Sequence, residues 1–83
     1  MSLIYIGRSG KKKVFITPYS QKRLRNRNLT RHEVLQALNK REISYPIDEE
    51  GRQKIRSAIG KKKAFLTILE DDKKIIVITG GEA

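Results

Sequence analysis

Arg52-Gln53-Lys54-Ile55-Arg56-Ser57-Ala58-Ile59 changes character from one residue to the next. Gln53, Ile55, Ser57 and Ile59 fall on one side of an extended chain, and Arg52, Lys54, Arg56 and Ala58 on the other. Successive side chains of a strand point to opposite faces, so this pattern predicts a strand with one buried and one exposed face. Gly60-Lys61 then predicts a tight hairpin turn, and Lys62–Leu69 the returning strand. Glu70-Asp71-Asp72-Lys73 makes the next turn. Ile75-Ile76-Val77-Ile78-Thr79 is apolar on both faces, the mark of a central strand, and Gly80-Gly81 ends it.

Upstream of this meander, Asp48-Glu49-Glu50-Gly51 is an acidic turn, and Ile43-Ser44-Tyr45 reads as a strand ended by Pro46. Two helices precede it. Thr17 is a candidate N-cap with Pro18 at the first helical position, and this helix extends to about Asn26. Its apolar residues are few, mainly Tyr19 and Leu24. Asn26-Arg27-Asn28 suits its end, because Asn tolerates the left-handed conformation. Thr30 and Glu33 have capping-box spacing, and Val34, Leu35 and Leu38 form an apolar stripe, so a second helix runs from Arg31 to about Lys40. At the N-terminus, Leu3–Ile6 reads as a short strand. Gly7, Ser9 and Gly10 break the chain, Lys11–Lys13 is a basic run, and Val14–Ile16 is a short extended segment. The expected fold is one α+β domain over residues 1–83, with two short N-terminal helices packed on one face of a three- to four-stranded antiparallel sheet. No internal repeat is expected beyond the two Lys triplets.

The 83 residues include 19 Lys and Arg against 9 Asp and Glu, a net charge of +10, and no cysteine. Residues 1–41 hold eleven of the basic residues and one acid, Glu33, whereas the rest of the chain holds eight of each sign. Such asymmetry predicts a face for a polyanion such as a nucleic acid, although the same charge also serves solubility. The lack of cysteine excludes a disulfide framework and thiolate zinc sites, and suits a reducing, cytoplasmic setting. No signal peptide is expected, because Gly7-Arg8 interrupts the first apolar run, and no membrane is a partner. No cofactor fingerprint and no metal-ligand spacing occur: Gly7-Arg8-Ser9-Gly10 is too short for a nucleotide loop, and a single His32 supports no catalytic triad.

Ile16-Thr17-Pro18-Tyr19-Ser20-Gln21-Lys22-Arg23-Leu24-Arg25-Asn26-Arg27-Asn28-Leu29-Thr30, followed by Glu33 and Val34, resembles the opening of the domain of unknown function 4258 family. Arg23, Arg27, Leu29, Thr30 and Val34 fall on that family's pattern. Tyr19 stands where it has a His, and Asn28 where it has a Gly. In the second half Gly51-Arg52, Arg56, a Gly turn and Ile75–Thr79 extend the likeness over roughly residues 14–79. The family lies near the small toxin ribonucleases of the RelE, barnase and colicin type. The resemblance implies a sheet whose open face binds RNA, metal-independent cleavage through the ribose 2′-hydroxyl, and an acidic antitoxin or immunity protein as partner.

Cleavage of that kind needs an acid and a base, with cations for the charge that develops on the phosphorane. The candidate catalytic residues are Tyr19, Arg23, Arg56 and Thr79. The candidate nucleic-acid contacts are Lys11, Lys12, Lys13, Lys22, Arg23, Arg25, Arg27, Arg52 and Lys54. Arg52, Lys54 and Arg56 form a row spaced about 6.5–7 Å along one strand face, suited to a phosphate backbone or simply to solvent. Three functions fit these residues: an RNA-binding, toxin-like endoribonuclease, a non-catalytic nucleic-acid-binding protein, or a basic module that docks an acidic partner. A helix-turn-helix made of the two helices fits less well, since the second exposes few base-reading side chains.

Overall fold

The computed structural model describes residues 2–82. The chain runs β1 (Ile4–Ser9), β2 (Lys12–Ile16), α1 (Pro18–Asn26), α2 (Arg31–Lys40), β3 (Ile43–Ser44), β4 (Arg52–Ile59), β5 (Lys62–Glu70) and β6 (Lys74–Glu82). All six strands form one sheet in the order β1-β2-β6-β5-β4-β3. It is a mixed sheet: β2 pairs parallel to β6, and every other neighbouring pair is antiparallel. This corrects the expected three- to four-stranded antiparallel sheet with N-terminal helices. The helices are not N-terminal, because a complete hairpin precedes them and joins the sheet beyond β6.

The physical reason lies at two glycines. Gly7 does not break β1. It takes a φ of 143° at a bulge, where the register with β2 shifts between Tyr5 and Gly7. Gly10, at φ 62°, turns the chain tightly back into β2. Residues 3–16 thus supply a hairpin instead of two fragments.

Gly10-Lys11-Lys12-Lys13-Val14-Phe15-Ile16-Thr17 and Gly60-Lys61-Lys62-Lys63-Ala64-Phe65-Leu66-Thr67 differ only at Val14/Ala64 and Ile16/Leu66. The expectation of no internal repeat is therefore corrected. Both copies open with a left-handed Gly, at φ 62° and 60°, in a hairpin turn. In both, the two apolar positions are buried, and the Phe lies on the opposite face. The second Lys of each copy is ion-paired on the helix side: Lys12 with Glu70 at 3.1 Å and Lys62 with Glu33 at 2.8 Å.

Both helices cover one face of the sheet, and Leu24, Leu29, Val34, Ala37 and Leu38 close the core over Val14, Ile16, Ile55, Leu66, Ile68, Ile75 and Val77. β2 lines only the first half of β6. Beyond Val77, α1 takes the place of a neighbouring strand: the Ser20 hydroxyl donates to Ile78 O, and Arg27 Nη1 donates to Gly80 O at 3.1 Å. Edge carbonyls that a strand would have satisfied are satisfied by side chains. Thr17 caps α1 by accepting from the Ser20 amide at 3.0 Å.

The capping box of α2 is complete. Thr30 Oγ1 accepts from the Glu33 amide at 3.2 Å, and the Thr30 amide donates to Glu33 Oε1 at 3.0 Å. Thr30→Ala is expected to lower stability by about 1 kcal/mol, read as a fall in the denaturant midpoint at constant slope. An unchanged midpoint would show that the box adds nothing beyond the Glu33–Lys62 pair.

Candidate nucleic-acid interface

The face of the sheet turned away from the helices is set by strand parity. Because Val14, Ile55, Ala64, Ile75 and their alternates point into the core, the residues between them point outward. The register then places Arg8 and Lys13 opposite each other, with Lys74 next to Lys13. Arg52, Lys54 and Arg56 stand opposite Leu69, Thr67 and Phe65, with Lys63 one pair further along. The open face thus carries Arg8, Lys13, Arg52, Lys54, Arg56, Lys63 and Lys74, and among the described residues no strand adds a carboxylate to it. Between the cations lie Tyr5, Phe15, Phe65, Ile76 and Leu69.

Glu70 and Glu33 are engaged on the helix side, and Asp48 and Glu50 pair with Arg52 at the rim of the open face. Glu70 receives both guanidinium nitrogens of Arg41 at 2.8 Å and Lys12 at 3.1 Å. Chiefly through the Arg41 hydrogen bonds, its pKa falls to about 2. Hydrogen bonding to Lys62 lowers Glu33 in the same direction. Asp48 accepts backbone amides of Arg52 and Glu50 at 2.9 Å each, and the first of these bonds is the main reason its pKa is lowered.

A second feature lies where β6 leaves β2. Thr67 is opposite Thr79, but the next β5 residue, Ile68, is opposite Val77, so Ile78 is an unpaired extra residue. This bulge reverses the parity of the strand beyond it. Thr79 turns outward next to Thr67, and Gly80 turns inward against Leu24 and Leu66. Two shallow grooves meet at Ile78 and Thr79: one is walled by Tyr19 and Arg23 of α1, the other by Asp48, Arg52, Lys54 and Thr67. Tyr19, Arg23, Arg52, Lys54 and Thr79, all expected as site residues, are therefore brought together. Arg23 Nη1 donates to the Tyr19 hydroxyl, and its guanidinium carbon lies 5.4 Å from the ring centroid. On the other side, Lys54 Nζ lies 5.2 Å from the centroid of Phe65. The two hydroxyls of Thr67 and Thr79 sit between these cations.

The remaining expected residues are placed differently. Arg56 is on the open face but lines a separate depression with Glu42, Ile43, Ala58 and Lys63, so it does not share the groove of Tyr19 and Thr79. Lys13 is on the open face, and Lys11 is at the tip of the first hairpin. Lys12 is turned to the helix side and held by Glu70. Arg27 is bound to Gly80 O, and Arg52 is paired with Asp48 at 3.3 Å and Glu50 at 3.1 Å. Lys22 is exposed on α1, and Arg25 lines a cleft with Gln21 and Arg31 between the helices. His32 is exposed on α2 and lines neither groove.

The charge excess of residues 1–41 is thus divided between two sides of the molecule. The open face recruits Arg52, Lys54, Arg56, Lys63 and Lys74 from the electrically balanced half. Sequence reading missed Arg8, Phe15, Lys63, Phe65 and Lys74. The duplicated Gly-Lys-Lys-Lys segment, read with strand parity, was the signal that could have found most of them.

Among the described residues no group of three or more His, Asp or Glu side chains could hold a metal ion, and no helix is long and apolar enough to cross a membrane. Comparisons with protein-family models, with characterised proteins and with solved structures find no match for this chain.

Proposed function

We propose that this protein binds nucleic acid, RNA in preference to DNA, on the open face of its sheet. One observation carries the reading: seven cations share a face to which no described strand adds an acid, while Glu33 and Glu70 are neutralised on the helix side. A phosphate backbone laid on that face meets positive charge along its path and releases condensed counterions. The hydroxyls of Thr67 and Thr79 add donors for phosphate or ribose oxygens. The absence of cysteine suits a reducing compartment such as the cytoplasm. The resemblance to the domain of unknown function 4258 family belongs with this proposal, as does an acidic antitoxin-like protein competing for the same face.

Lys54→Ala with Arg56→Ala tests the reading against Arg25→Ala with Arg31→Ala, two cations removed from the helix side. Fluorescence anisotropy with a generic single-stranded RNA is expected to show a loss of about tenfold or more for the first pair and little for the second. Equal losses would mean that net charge, not this face, does the binding.

A second reading is supported by the placement of Tyr19 and Arg23 beside Thr79. The Tyr19 hydroxyl accepts from Arg23 and keeps its own proton for donation, and Arg23 offers charge for a phosphorane. In this reading the ribose 2′-hydroxyl gives its proton to water as its oxygen bonds to the adjacent phosphorus, the bond from phosphorus to the 5′-oxygen breaks, and the 5′-oxygen takes the Tyr19 proton. Incubation of the purified protein with total RNA and a chelator tests it. Discrete fragments with cyclic phosphate ends support cleavage, and intact RNA removes it.

A further inference from the structure

The duplicated segment places an equivalent Lys-x-Phe unit on each side of β6. Lys13 and Phe15 on β2 and Lys63 and Phe65 on β5 all point to the open face. β2 is parallel to β6 and β5 is antiparallel to it, so the two units run in opposite directions, related by an approximate two-fold axis through the sheet. Phe15 is in register with Ile76 and, through it, with Leu69, four residues along β5 from Phe65. Strand spacing and rise then put the two rings about 16 Å apart. Neither ring is buried in the core. Phe15 has Tyr5 edge-on at 5.8 Å, and Phe65 has the Lys54 ammonium 5.2 Å from its centroid. Two partly exposed phenyl rings, each two residues from a cation on a strongly basic face, are poorly placed for water alone. They suit a ligand with both flat apolar faces and negative charge.

We infer that Phe15 and Phe65 are two base-stacking platforms, and that the ligand of the open face is a single-stranded segment of a few nucleotides. This rests on the nucleic-acid reading above and goes further, because phosphate contacts alone would accept a duplex equally well. In a duplex the bases are stacked on each other and unavailable to a flat sheet, whereas a single strand can lay successive bases on aromatic rings. Lys13 and Lys63 then reach the phosphates flanking each stacked base. Lys54, which covers Phe65 in the free protein, swings to the phosphate as the base takes its place. The Thr67–Thr79 hydroxyl pair lies between the platforms, where the intervening ribose and phosphate pass.

An octamer of single-stranded RNA and an abasic octamer with the same sugar–phosphate backbone provide the test on the unaltered protein. Both carry the same charge, and only the first can stack. Titration at moderate salt is expected to give about 10- to 100-fold tighter binding of the base-bearing octamer, with tyrosine emission changing on binding through Tyr5 against Phe15. Phe15→Leu and Phe65→Leu, each checked for an unshifted melting temperature, should each remove about 5-fold or more of that preference and leave abasic binding unchanged. Equal affinity for the two octamers overturns the stacking platforms while leaving the electrostatic reading in place. Failure to bind either octamer removes both. A duplex of the same length bound as tightly as the single strand would also overturn the inference.

Discussion

Leu66→Ala is expected to bring the domain close to unfolding at ordinary temperature, with a loss of about 3–4 kcal/mol. Leu66 is fully buried on β5, the strand between β4 and β6, and belongs to the one cluster that joins the sheet to both helices. Its truncation removes the transfer free energy of the side chain and leaves a cavity that paired strands on both sides cannot collapse to fill. A domain of this length has a total stability of only about 4–12 kcal/mol, so the loss is a large fraction of it. The melting temperature should fall by about 20 °C. Gly80 adds a check at the same place. A β-carbon there would lie 2.6 Å from Leu66 Cδ2 and 2.6 Å from the Phe65 carbonyl oxygen. Gly80→Ala should therefore destabilise less in the Leu66→Ala background than alone, yet still cost something, because the carbonyl clash remains. A fall of under 5 °C for Leu66→Ala would mean that the helix layer is not packed on β5 as described.

The second large effect is on binding. If six of the seven open-face cations contact phosphates of a single-stranded RNA, log K should fall against log salt with a slope of about −4. A fourfold rise in salt, from about 50 to 200 mM, then weakens binding by about 300-fold. Lys63→Ala or Lys74→Ala should each make the slope shallower by about 0.7, because each removes one released counterion. Lys12→Ala should not, since Lys12 is turned to the helix side against Glu70. A slope shallower than about −1 would remove the polyanion reading and leave the basic face to an acidic protein, whose few pairwise contacts are screened less steeply. The slope reports charge and the abasic octamer reports stacking, so the two measurements separate the components of the proposed interface.

Much of this architecture is legible in local sequence because it depends on local physics. The alternation over Arg52–Ile59 places Ile55 and Ser57 inside and Lys54 and Arg56 outside, as found. Thr17-Pro18 and the Thr30/Glu33 pair start their helices where capping chemistry puts them. Asn28, at φ 63°, takes the left-handed conformation expected between the helices. The first hairpin was legible too, in the near-identity of Gly10–Thr17 and Gly60–Thr67, but each half is short, and Gly7 looks like a break until a partner strand accommodates it as a bulge.

The tertiary structure alone decided the rest. No local pattern says that β2 pairs parallel with β6, since that pairing joins segments about sixty residues apart and forms only because the helices carry the chain off that edge and the meander returns it. No periodicity places Thr79 beside Thr67: read with period two, Thr79 shares the buried face of Ile75 and Val77, and only the unpaired Ile78 turns it outward. The net charge of +10 was plain in the composition, but which cations share a face was not. Charge along a chain is a property of sequence, and charge across a sheet is a property of register. Pairing six strands in the order found set Arg8 and Lys13 beside Lys74, and Lys54 beside the Thr pair, and left Lys12 to pair with Glu70 of β5 and Lys62 with Glu33 of α2 on the other side.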